Sequence, residues 1–471
     1  MHTLVRISIL VVLERGQYEA AGKGLDIAST KARIIRLPER VSEQIDSEDH
    51  DGDGEPRKQC EMHRIAHVAG EGRIHDPPAS ILGPSRNCTH LNTKEYVDGL
   101  VGTDSLMGSK AYLEEARGIH ERTLVCAAHT DVIGAVAEGH HGGERAVLSR
   151  AHGELFRAGG IKCISDHVIG DTFETQSFPT GELLNAYYGG RLYNPSLLKH
   201  AFRNLTFMLR DIAESGSDFG LATTVAEIKE LAAHGQIAVV LCTQGLTFME
   251  DEPLLLEVVH RLGVRVLGVV TYRANAVVGS YQVNQDQGLT AFGRSVVAEA
   301  KRLRMVFDIS SVSGRGFWDL IEAAEGPVIA SHTNVAALCS KPGNLDDRQL
   351  AAIGETNGIV GLIANGELVS DTPHPTLGAF VDHIDYIANH IGVDHVAIGP
   401  DIVEEAFYPL ETYRRVFGDE AWTTHYPEGL GSHRDLPNVT AELLRRGYGT
   451  DAIGKILGGN VLRVYQQVWG A

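Results

Sequence analysis

The strongest constraint on the fold of this chain is a regular alternation of short apolar runs with amphipathic segments, which begins near residue 108. The apolar runs, rich in β-branched residues, are Leu124–His129, Ile161–Ser165, Ile237–Thr243, Val264–Tyr272, Met305–Ser311, Pro327–His332, Gly358–Ala364 and His395–Asp401. The helical segments between them include Pro195–Ser215, Leu254–Leu262, Thr290–Leu303, Gly316–Ala324, Asp346–Thr356 and Thr376–Ile391. Strands that alternate with helices pair in parallel through right-handed crossovers. Because the repetition covers about 350 residues, it predicts an α/β fold of the (β/α)8 TIM barrel type.

An open, doubly wound sheet is the alternative architecture for this pattern. Its signature is a glycine-rich phosphate loop directly after the first strand. No such loop follows Leu124–His129, so the closed barrel is favoured.

The first 105 residues have a different character from the rest of the chain. Their periodicity is weak, and Ser47–Pro56 and Asp76–Arg86 are rich in turn-forming residues. The sequence therefore predicts two regions, an irregular and largely disordered extension over residues 1–105 and a barrel over residues 106–471.

Charge and cysteine usage limit the partners and the compartment. The formal net charge of −19 disfavours nonspecific binding to nucleic acid or to an anionic membrane surface. No run reaches the roughly 18 apolar residues of a membrane span. The cysteines form no CxxC pair, and several fall inside apolar runs, which is typical of buried free thiols in a reducing compartment. We therefore predict a cytoplasmic protein with neither a nucleic-acid nor a membrane partner.

Polar side chains stand where the apolar runs end. His129 and Asp131 close the first run, and residues two apart on a strand point to the same face. An imidazole and a carboxylate on one face are suitable ligands for a divalent metal. Other runs end at Gln244, Tyr272, Ser311, His332 and Asp401. Because the carboxyl ends of all barrel strands meet at one mouth, we expect these side chains to converge there as an active-site cluster.

Five segments in collinear order carry a resemblance to a known family. They are Ala128–Asp131 (AHTD), Pro327–Asn334 (PVIASHTN), Asn344–Asp347 (NLDD), Val381–Asp401 (VDHIDYIANHIGVDHVAIGPD) and Ile456–Val464 (ILGGNVLRV). The series, which extends from about Lys110 to Gln467, resembles the membrane (renal) dipeptidase family, as a divergent member of bacterial type. The resemblance implies a TIM barrel of the metal-dependent hydrolase type, which holds two zinc ions and cleaves the amide bond of dipeptides.

The resemblance also assigns roles to residues of this chain. His129 and Asp131 match the metal ligands of the first strand, and His332 matches a ligand on the sixth. Asp401 matches the active-site aspartate after the eighth strand. Tyr272 stands near the position of a substrate-contacting histidine, so the predicted catalytic residues are Asp401 and Tyr272.

Besides the replacement of the histidine near Tyr272, three positions depart from the family pattern. Gln244 replaces the glutamate that bridges the two metals, and Ser311 replaces a histidine ligand of the second. Gly343 replaces an arginine that grips the substrate carboxylate, so that Gly343 and Asn344 mark the predicted substrate-binding segment. Arg273 and His433 are alternative cations for that carboxylate. Since a neutral amide neutralises no metal charge, we predict one bound zinc ion and an empty second site.

Two functional hypotheses follow. The first is a metal-dependent hydrolase of a dipeptide or a small dipeptide-like substrate, for which the resemblance implies a homodimer. The alternative is an inactive or repurposed barrel that binds a small ligand without hydrolysing dipeptides. The remaining histidines His140, His141, His383 and His390 are predicted to face solvent or cap helices, with His167 a secondary candidate for the site.

Overall fold

Eight parallel strands follow one another around a nearly closed barrel in the order in which the chain makes them. The computed structural model describes residues 103–171, 196–271, 274–281, 286–312, 314–404 and 426–470, with side chains from Lys110 onward. The strands are β1 (Val125–Thr130), β2 (Ile161–Gly170), β3 (Phe219–Leu221), β4 (Ile237–Gln244), β5 (Val264–Gly268), β6 (Val306–Asp308), β7 (Val328–Thr333), β8 (Ile359–Leu362) and β9 (Val396–Ile398). All neighbours pair in parallel, and β1 lies close to β9 at the seam.

Helices connect the strands and cover the outside of the barrel. Within the described residues the α-helices are α1 (Thr103–Arg122), α2 (Ile133–His141), α3 (Gly153–Ala158), α4 (Leu197–Glu214), α5 (Val225–Ala233), α6 (Leu255–Arg261), α7 (Ala291–Arg302), α8 (Gly314–Ala324), α9 (Asp347–Glu355), α10 (Gly366–Val369), α11 (Leu377–His390), α12 (Leu436–Arg445), α13 (Thr450–Gly454) and α14 (Asn460–Trp469). Several begin at a side-chain cap. Thr224 and Glu227, for example, form a capping box that satisfies backbone N–H groups at the start of α5.

The strand order confirms the predicted TIM barrel. A doubly wound sheet reverses its strand order at a switch point, whereas here the order from β1 to β9 never reverses. The short strand β3 is an addition that the sequence pattern did not predict. It pairs with β4 at Ile237–Val239, while β5 pairs with the same strand only from Leu241 onward.

The interior of the barrel is filled by small and medium apolar side chains together with residues of α14. Strand residues of this inner cluster are Cys126, Ala128, Cys163, Ala238, Val240, Cys242, Val266, Val306, Ile329, Ile359 and Ala397. Val461, Val464 and Tyr465 of α14 join them, which closes the end of the barrel opposite the mouth. A larger cluster packs the outer faces of the strands against the surrounding helices.

The four described cysteines, Cys126, Cys163, Cys242 and Cys339, are buried free thiols, as the sequence predicts. Cys60 and Cys88 lie outside the described residues, as does nearly all of the predicted extension over residues 1–105. Within the described ranges, every helix is too short or too polar to span a bilayer.

Candidate metal centre

His129 lies at the mouth of the barrel, and the polar side chains of several strands surround its ring. Its Nε2 atom lies 3.3 Å from Oδ1 of Asp401 and 3.5 Å from Oδ1 of Asp131. His129 is fully buried, whereas 33% of the Asp131 side chain is exposed. Asp401 has a left-handed backbone, with φ of 50°, a conformation that aspartate tolerates better than most residues. The first and last strands of the barrel therefore bring one imidazole and two carboxylates together.

Two further imidazoles contact His129. The ring centroids of His332, on β7, and His167, on β2, lie 3.7 Å and 4.0 Å from that of His129. On its other side, His332 meets the amide of Gln244, with 3.4 Å between the two Nε2 atoms. The structure thus brings together His129, Asp131, His332, Asp401 and Gln244 of the residues singled out in the sequence.

The remaining predicted positions lie on the surrounding loops. β6 ends at Asp308, earlier than predicted, and Ser311 follows in a turn with φ of 64°. Gly343 has φ of 102°, and a β-carbon there would meet the ring of Tyr281 at 3.0 Å. Asn344 donates its two amide hydrogens to the carbonyls of Cys339 and Leu368. Tyr272 and Arg273 lie outside the described residues.

The charges of the site are strongly coupled. Burial alone would lower the pKa of His129, but Asp131 and then Asp401 outweigh it and raise this pKa well above its ordinary value. Burial and the charge of His129 lower the pKa of His332 to about 3. Burial would raise the pKa of Asp401, yet the charge of His129 holds that pKa at about 2. Two carboxylates therefore stabilise one positive charge at Nε2 of His129.

A divalent cation fits the place of that charge. Nε2 of His129 is buried, and neither of its carboxylate contacts has hydrogen-bond geometry. Ligand atoms held about 2.0–2.1 Å from a tetrahedral zinc ion lie about 3.3 Å from one another, which matches the two contacts. Ligand atoms of His129, His332 and Asp401 also lie within 4.8 Å of one another. With Asp131 and Asp401 ionised, the centre would be electrically neutral.

Sequence reasoning missed a buried polar layer beside the imidazoles. The second apolar run of the sequence ends at Ser165, but β2 continues to Gly170, so Asp166 and His167 are strand residues. Nε2 of His167 lies 3.4 Å from Oδ2 of Asp308, which is almost fully buried. The available signal was Asp308 itself, because a carboxylate inside an otherwise apolar strand requires polar partners.

Asp166 supports the turn that carries Asp131. Its Oδ1 atom accepts hydrogen bonds from the Thr130 hydroxyl at 3.0 Å and the backbone N–H of Val132 at 2.8 Å. Burial, and next the charge of Asp131, raise the pKa of Asp166 to about 8. This carboxyl therefore fixes the turn without adding a full negative charge at neutral pH.

The predicted exposure of two other histidines is wrong. His140 is buried and lies 2.7 Å from Oδ2 of Asp211, whose oxygens also accept backbone N–H groups, so this pair has a structural role. His383 is buried between two backbone segments, where it accepts from the Val335 N–H and donates to the Val369 carbonyl. Both rings complete hydrogen bonds that the fold would otherwise leave unmade.

His390 and His433 show the two extremes of histidine exposure. His390 is exposed at the end of α11, as predicted. His433, an alternative cation for substrate, is instead buried with its Nδ1 atom 2.7 Å from Oε1 of Glu404. Its ring therefore already has a carboxylate partner within the protein.

Comparison with known proteins places the site in a family context. The family model for membrane dipeptidase, peptidase family M19, matches residues 175–414 and 418–470. The matched residues include Gln244, Ser311, His332 and Asp401. The match begins after β2 and therefore does not include His129 and Asp131. These two residues are placed at the site by their position in the barrel.

Two curated relatives illustrate the similarity in sequence. A protein from the 5′ region of pqqA in Klebsiella pneumoniae, itself uncharacterized, is 32% identical over 281 residues, which cover 57% of this chain and 96% of that protein. Dipeptidase tcpJ of Claviceps purpurea (strain 20.1) is 29% identical over 277 residues, which cover 57% of this chain and 61% of the fungal protein. The chain thus spans less than two thirds of the length of that dipeptidase.

Solved structures share the fold. An amidohydrolase from Pseudomonas aeruginosa is similar with a TM-score of 0.62 and 22% identity, over 76% of this chain and 99% of that chain. A metallopeptidase from Rhodobacter sphaeroides, liganded with a phosphinate mimic of the dipeptide L-Ala-D-Ala, has a TM-score of 0.61 and 21% identity, over 74% of this chain and 100% of that chain. At these identities the likeness establishes the barrel architecture.

Proposed function

We infer that this chain, which belongs to the membrane dipeptidase family (peptidase family M19), hydrolyses the amide bond of a dipeptide or a small dipeptide-like substrate with a single bound metal ion. The observation that carries this proposal is the convergence of Asp131 and Asp401 on the buried Nε2 atom of His129. Such a cluster lies where enzymes of this architecture have their active sites.

The proposed metal ligands are His129, Asp131 and His332, and zinc is the proposed ion. Three protein ligands are the usual set of a catalytic zinc site, which keeps one position open. When bound there, the ion supplies Lewis-acid chemistry, which polarises a carbonyl and makes water a better nucleophile. The protein contributes the buried, low-dielectric surroundings of His129 and His332 in which such polarisation is strongest.

Asp401 is the proposed general base. Its carboxylate is nearly buried and lies 3.3 Å from Nε2 of His129 at the centre of the cluster. An ionised carboxylate in that position accepts a proton from an attacking water molecule. Tyr272, close after β5, remains the predicted second catalytic residue and lies outside the described residues.

A single ion is favoured by the residues at the second position. Gln244 lies 3.4 Å from Nε2 of His332 but is neutral, so it cannot supply the negative charge of a carboxylate that bridges two ions. Ser311 offers a hydroxyl where an imidazole would be needed, since zinc sites in proteins use imidazole, thiolate and carboxylate ligands. Of the residues that the resemblance assigns to the second ion, only His332 is a suitable ligand, and we assign it to the first ion.

The predicted substrate-binding segment around Gly343 and Asn344 has no arginine to bind a carboxylate. It therefore favours a substrate that does not depend on a salt bridge at its carboxyl end. A side chain at position 343 would meet Tyr281, and the amide hydrogens of Asn344 are already donated to backbone carbonyls. The Oδ1 atom of Asn344 is buried without a hydrogen-bond partner among the described residues, so it is not exposed to a substrate either.

Metal analysis and hydrolysis assays test the proposal together. Protein purified under zinc-replete conditions is expected to contain about one zinc ion per chain and to release amino acids from L-Ala-D-Ala or its C-terminal amide. His129→Ala should lose both the ion and the activity. His390→Ala, which removes an exposed imidazole, is the matched control and should lose neither.

The alternative function, a barrel that binds a ligand without hydrolysis, predicts a different result. Wild-type protein that takes up no zinc and hydrolyses neither substrate, yet binds the phosphinate dipeptide mimic, would support it and overturn the proposed hydrolase. A stoichiometry of two zinc ions in the wild type would instead refute the single-ion site.

The proposal extends to the compartment and the assembly of the protein. The four buried free cysteines are what a reducing compartment such as the cytoplasm favours. A homodimer is proposed by analogy with the family, and light scattering of the purified protein tests it.

A further inference from the structure

Asp308 and Ser331 form a buried relay next to the imidazoles, and nothing in the proposed reaction uses them directly. Oδ1 of Asp308 accepts the backbone N–H groups of Ser310 and Ser331, both at 3.0 Å. Oδ2 accepts the hydroxyl of Ser331 at 2.5 Å and lies 3.4 Å from Nε2 of His167. Since the two backbone bonds come from β7 and from the turn after β6, the carboxylate is held rigidly between these segments.

The hydroxyl of Ser331 contacts both candidate metal ligands. Its Oγ atom lies 2.7 Å from Nδ1 of His332 and 3.5 Å from Nδ1 of His129. A hydroxyl has one hydrogen to donate and two lone pairs with which to accept. Because the hydrogen is directed to Asp308, the 2.7 Å contact requires an N–H group on Nδ1 of His332. The longer approach of 3.5 Å to Nδ1 of His129 is compatible with an N–H group there as well.

This assignment fixes the other nitrogen of each ring. With hydrogen on Nδ1, a neutral imidazole carries its lone pair on Nε2. Nε2 of His332 faces the amide nitrogen of Gln244, which is a donor, and Nε2 of His129 faces Asp131 and Asp401. The Gln244 contact of His332 therefore agrees with the tautomer set by Ser331, whereas Nε2 of His129 faces two carboxylates and holds a positive charge unless a cation takes its place.

We propose that Asp308 is a positioning residue that, through the Ser331 hydroxyl, locks His129 and His332 with hydrogen on Nδ1 and so aims both Nε2 atoms at the mouth of the barrel. A carboxylate that orients a metal-binding histidine is a common second layer of metal sites, and its loss typically weakens metal affinity 10–100-fold. Here one hydroxyl serves two rings. His167, stacked on His129, restrains that ring from the side.

An inner cation site made of His129, His167 and Asp308 is the competing explanation for the same residues. Their ligand atoms lie within 4.8 Å of one another. However, the oxygens of Asp308 already accept several donors, and the rings of His129 and His167 stack on each other with 28° between their planes. The relay accounts for these contacts without an ion.

The tautomer is measurable in the metal-free protein, which makes this test independent of the proposed hydrolase activity. Long-range ¹H–¹⁵N spectra of histidine-labelled protein, with the signals of His332 identified through His332→Gln, should show hydrogen on Nδ1. Ser331→Ala and Asp308→Asn should each produce a mixture of tautomers at His332. If the wild type carries its hydrogen on Nε2, the relay is refuted.

Zinc affinity is the second readout. Ser331→Ala and Asp308→Asn should weaken zinc binding by about 10–100-fold in chelator competition, with near-wild-type circular dichroism. Ser165→Ala removes an equally buried serine hydroxyl of the barrel interior, bonded to Tyr465 instead of an imidazole, and should leave affinity unchanged. Should Asp308→Asn fail to fold, Ser331→Ala carries the test alone.

Three results would contradict the relay. The first is an unchanged affinity in folded Ser331→Ala. The second is a second zinc ion in the wild type that Asp308→Asn removes, because Asp308 would then be a ligand. The third is an equal loss of affinity in Ser165→Ala. If the wild type binds no zinc, the proposed function fails, while the tautomer measurement still decides the relay.

Discussion

At the level of single residues, the number of ions in the proposed site depends on Gln244 and Ser311. Replacing both, as Gln244→Glu with Ser311→His, supplies a bridging carboxylate and an imidazole at the positions where the family pattern has them. Histidine tolerates the left-handed backbone of residue 311 better than most residues. We expect zinc content to rise from about one to about two ions per chain, measured by elemental analysis.

The single change Ser311→His is the control for that experiment. It leaves Gln244 neutral and should therefore add no stably bound second ion. If the double variant also stays at one ion, the correspondence of these two positions with the family pattern is wrong.

Sequence reasoning reached the residues that stand at strand ends, since a polar residue that closes an apolar run is visible in one dimension. His129, Asp131, His332 and Asp401 were all found in this way, and the structure brings them together. It did not find the Asp308–Ser331 relay. That arrangement depends on the register between β6 and β7. Which residues of two strands face each other cannot be read directly from a single sequence.

At the level of elements, Lys162 joins β2 to the end of α1. Its ammonium group donates to the carbonyls of His120, Glu121 and Thr123 at 3.0, 2.6 and 2.8 Å, which would otherwise lack partners at the helix C-terminus. Lys162→Met keeps the aliphatic stem and removes these bonds. We expect a loss of about 1–2 kcal/mol in the free energy of unfolding, because the group is partly exposed.

Denaturant titration measures this loss, and Lys455→Met serves as the control. Lys455 forms a surface ion pair with Asp394 at 2.5 Å and caps no set of carbonyls. Its removal should cost no more than about 1 kcal/mol. Equal effects in the two variants would show that the carbonyl contacts of Lys162 add nothing.

The packing of α1 on α12 should make stability depend on pH through His120. Its ring donates from Nδ1 to the Gly159 carbonyl and accepts at Nε2 from the Thr440 hydroxyl, both at 2.7 Å, so it must be neutral. Burial, against a smaller opposing effect of the Gly159 carbonyl, lowers the pKa of His120 from 6.5 to about 4. Between these values the unfolded state binds more protons, so stability is complete above pH 6.5 and falls as the pH drops towards 4.

The expected contribution is about 3 kcal/mol over that interval. Unfolding of the wild type and of His120→Gln, followed from pH 7.5 to about 4.5, measures it. The wild type should be the more stable protein at pH 7.5, and the difference should shrink as the pH falls. A difference that stays constant across the range would refute the role of His120.

Elements were predicted well where an apolar run was long and less well at its ends. All eight predicted barrel strands exist, but β6 stops at Asp308, three residues before the predicted end. β2 runs five residues further than predicted, to Gly170, because Asp166 and His167 are polar yet buried by partners in other strands. β3 was missed since its three residues have too little pattern to stand out.

At the scale of the whole molecule, the candidate active site lies at one end of the barrel, and the other end is closed by packing that stabilises the fold. The histidines and carboxylates lie at the mouth, and α14 closes the opposite end with Tyr465 and Trp469, whose rings stack at 4.3 Å. Tyr465 is fully buried, and its hydroxyl lies 2.7 Å from Oγ of Ser165 in the barrel interior. The closed end is therefore expected to govern folding, while the predicted departures from the family pattern, Gln244 and Ser311, lie on the side of the mouth.

This division predicts that changes to Tyr465 alter stability without altering the metal site. Tyr465→Phe should cost about 1 kcal/mol of unfolding free energy, because it removes one hydrogen bond and keeps the ring. Tyr465→Ala should cost about 3–5 kcal/mol, since it leaves a cavity between α14 and the strands. Zinc affinity in Tyr465→Phe should equal that of the wild type, because the ring lies at the closed end of the barrel. Denaturant unfolding and chelator competition on the same preparations measure the two quantities. If Tyr465→Ala is as stable as Tyr465→Phe, the packing of α14 against the strands does not stabilise the barrel. If Tyr465→Phe binds zinc more weakly than the wild type, the two ends of the barrel are not independent.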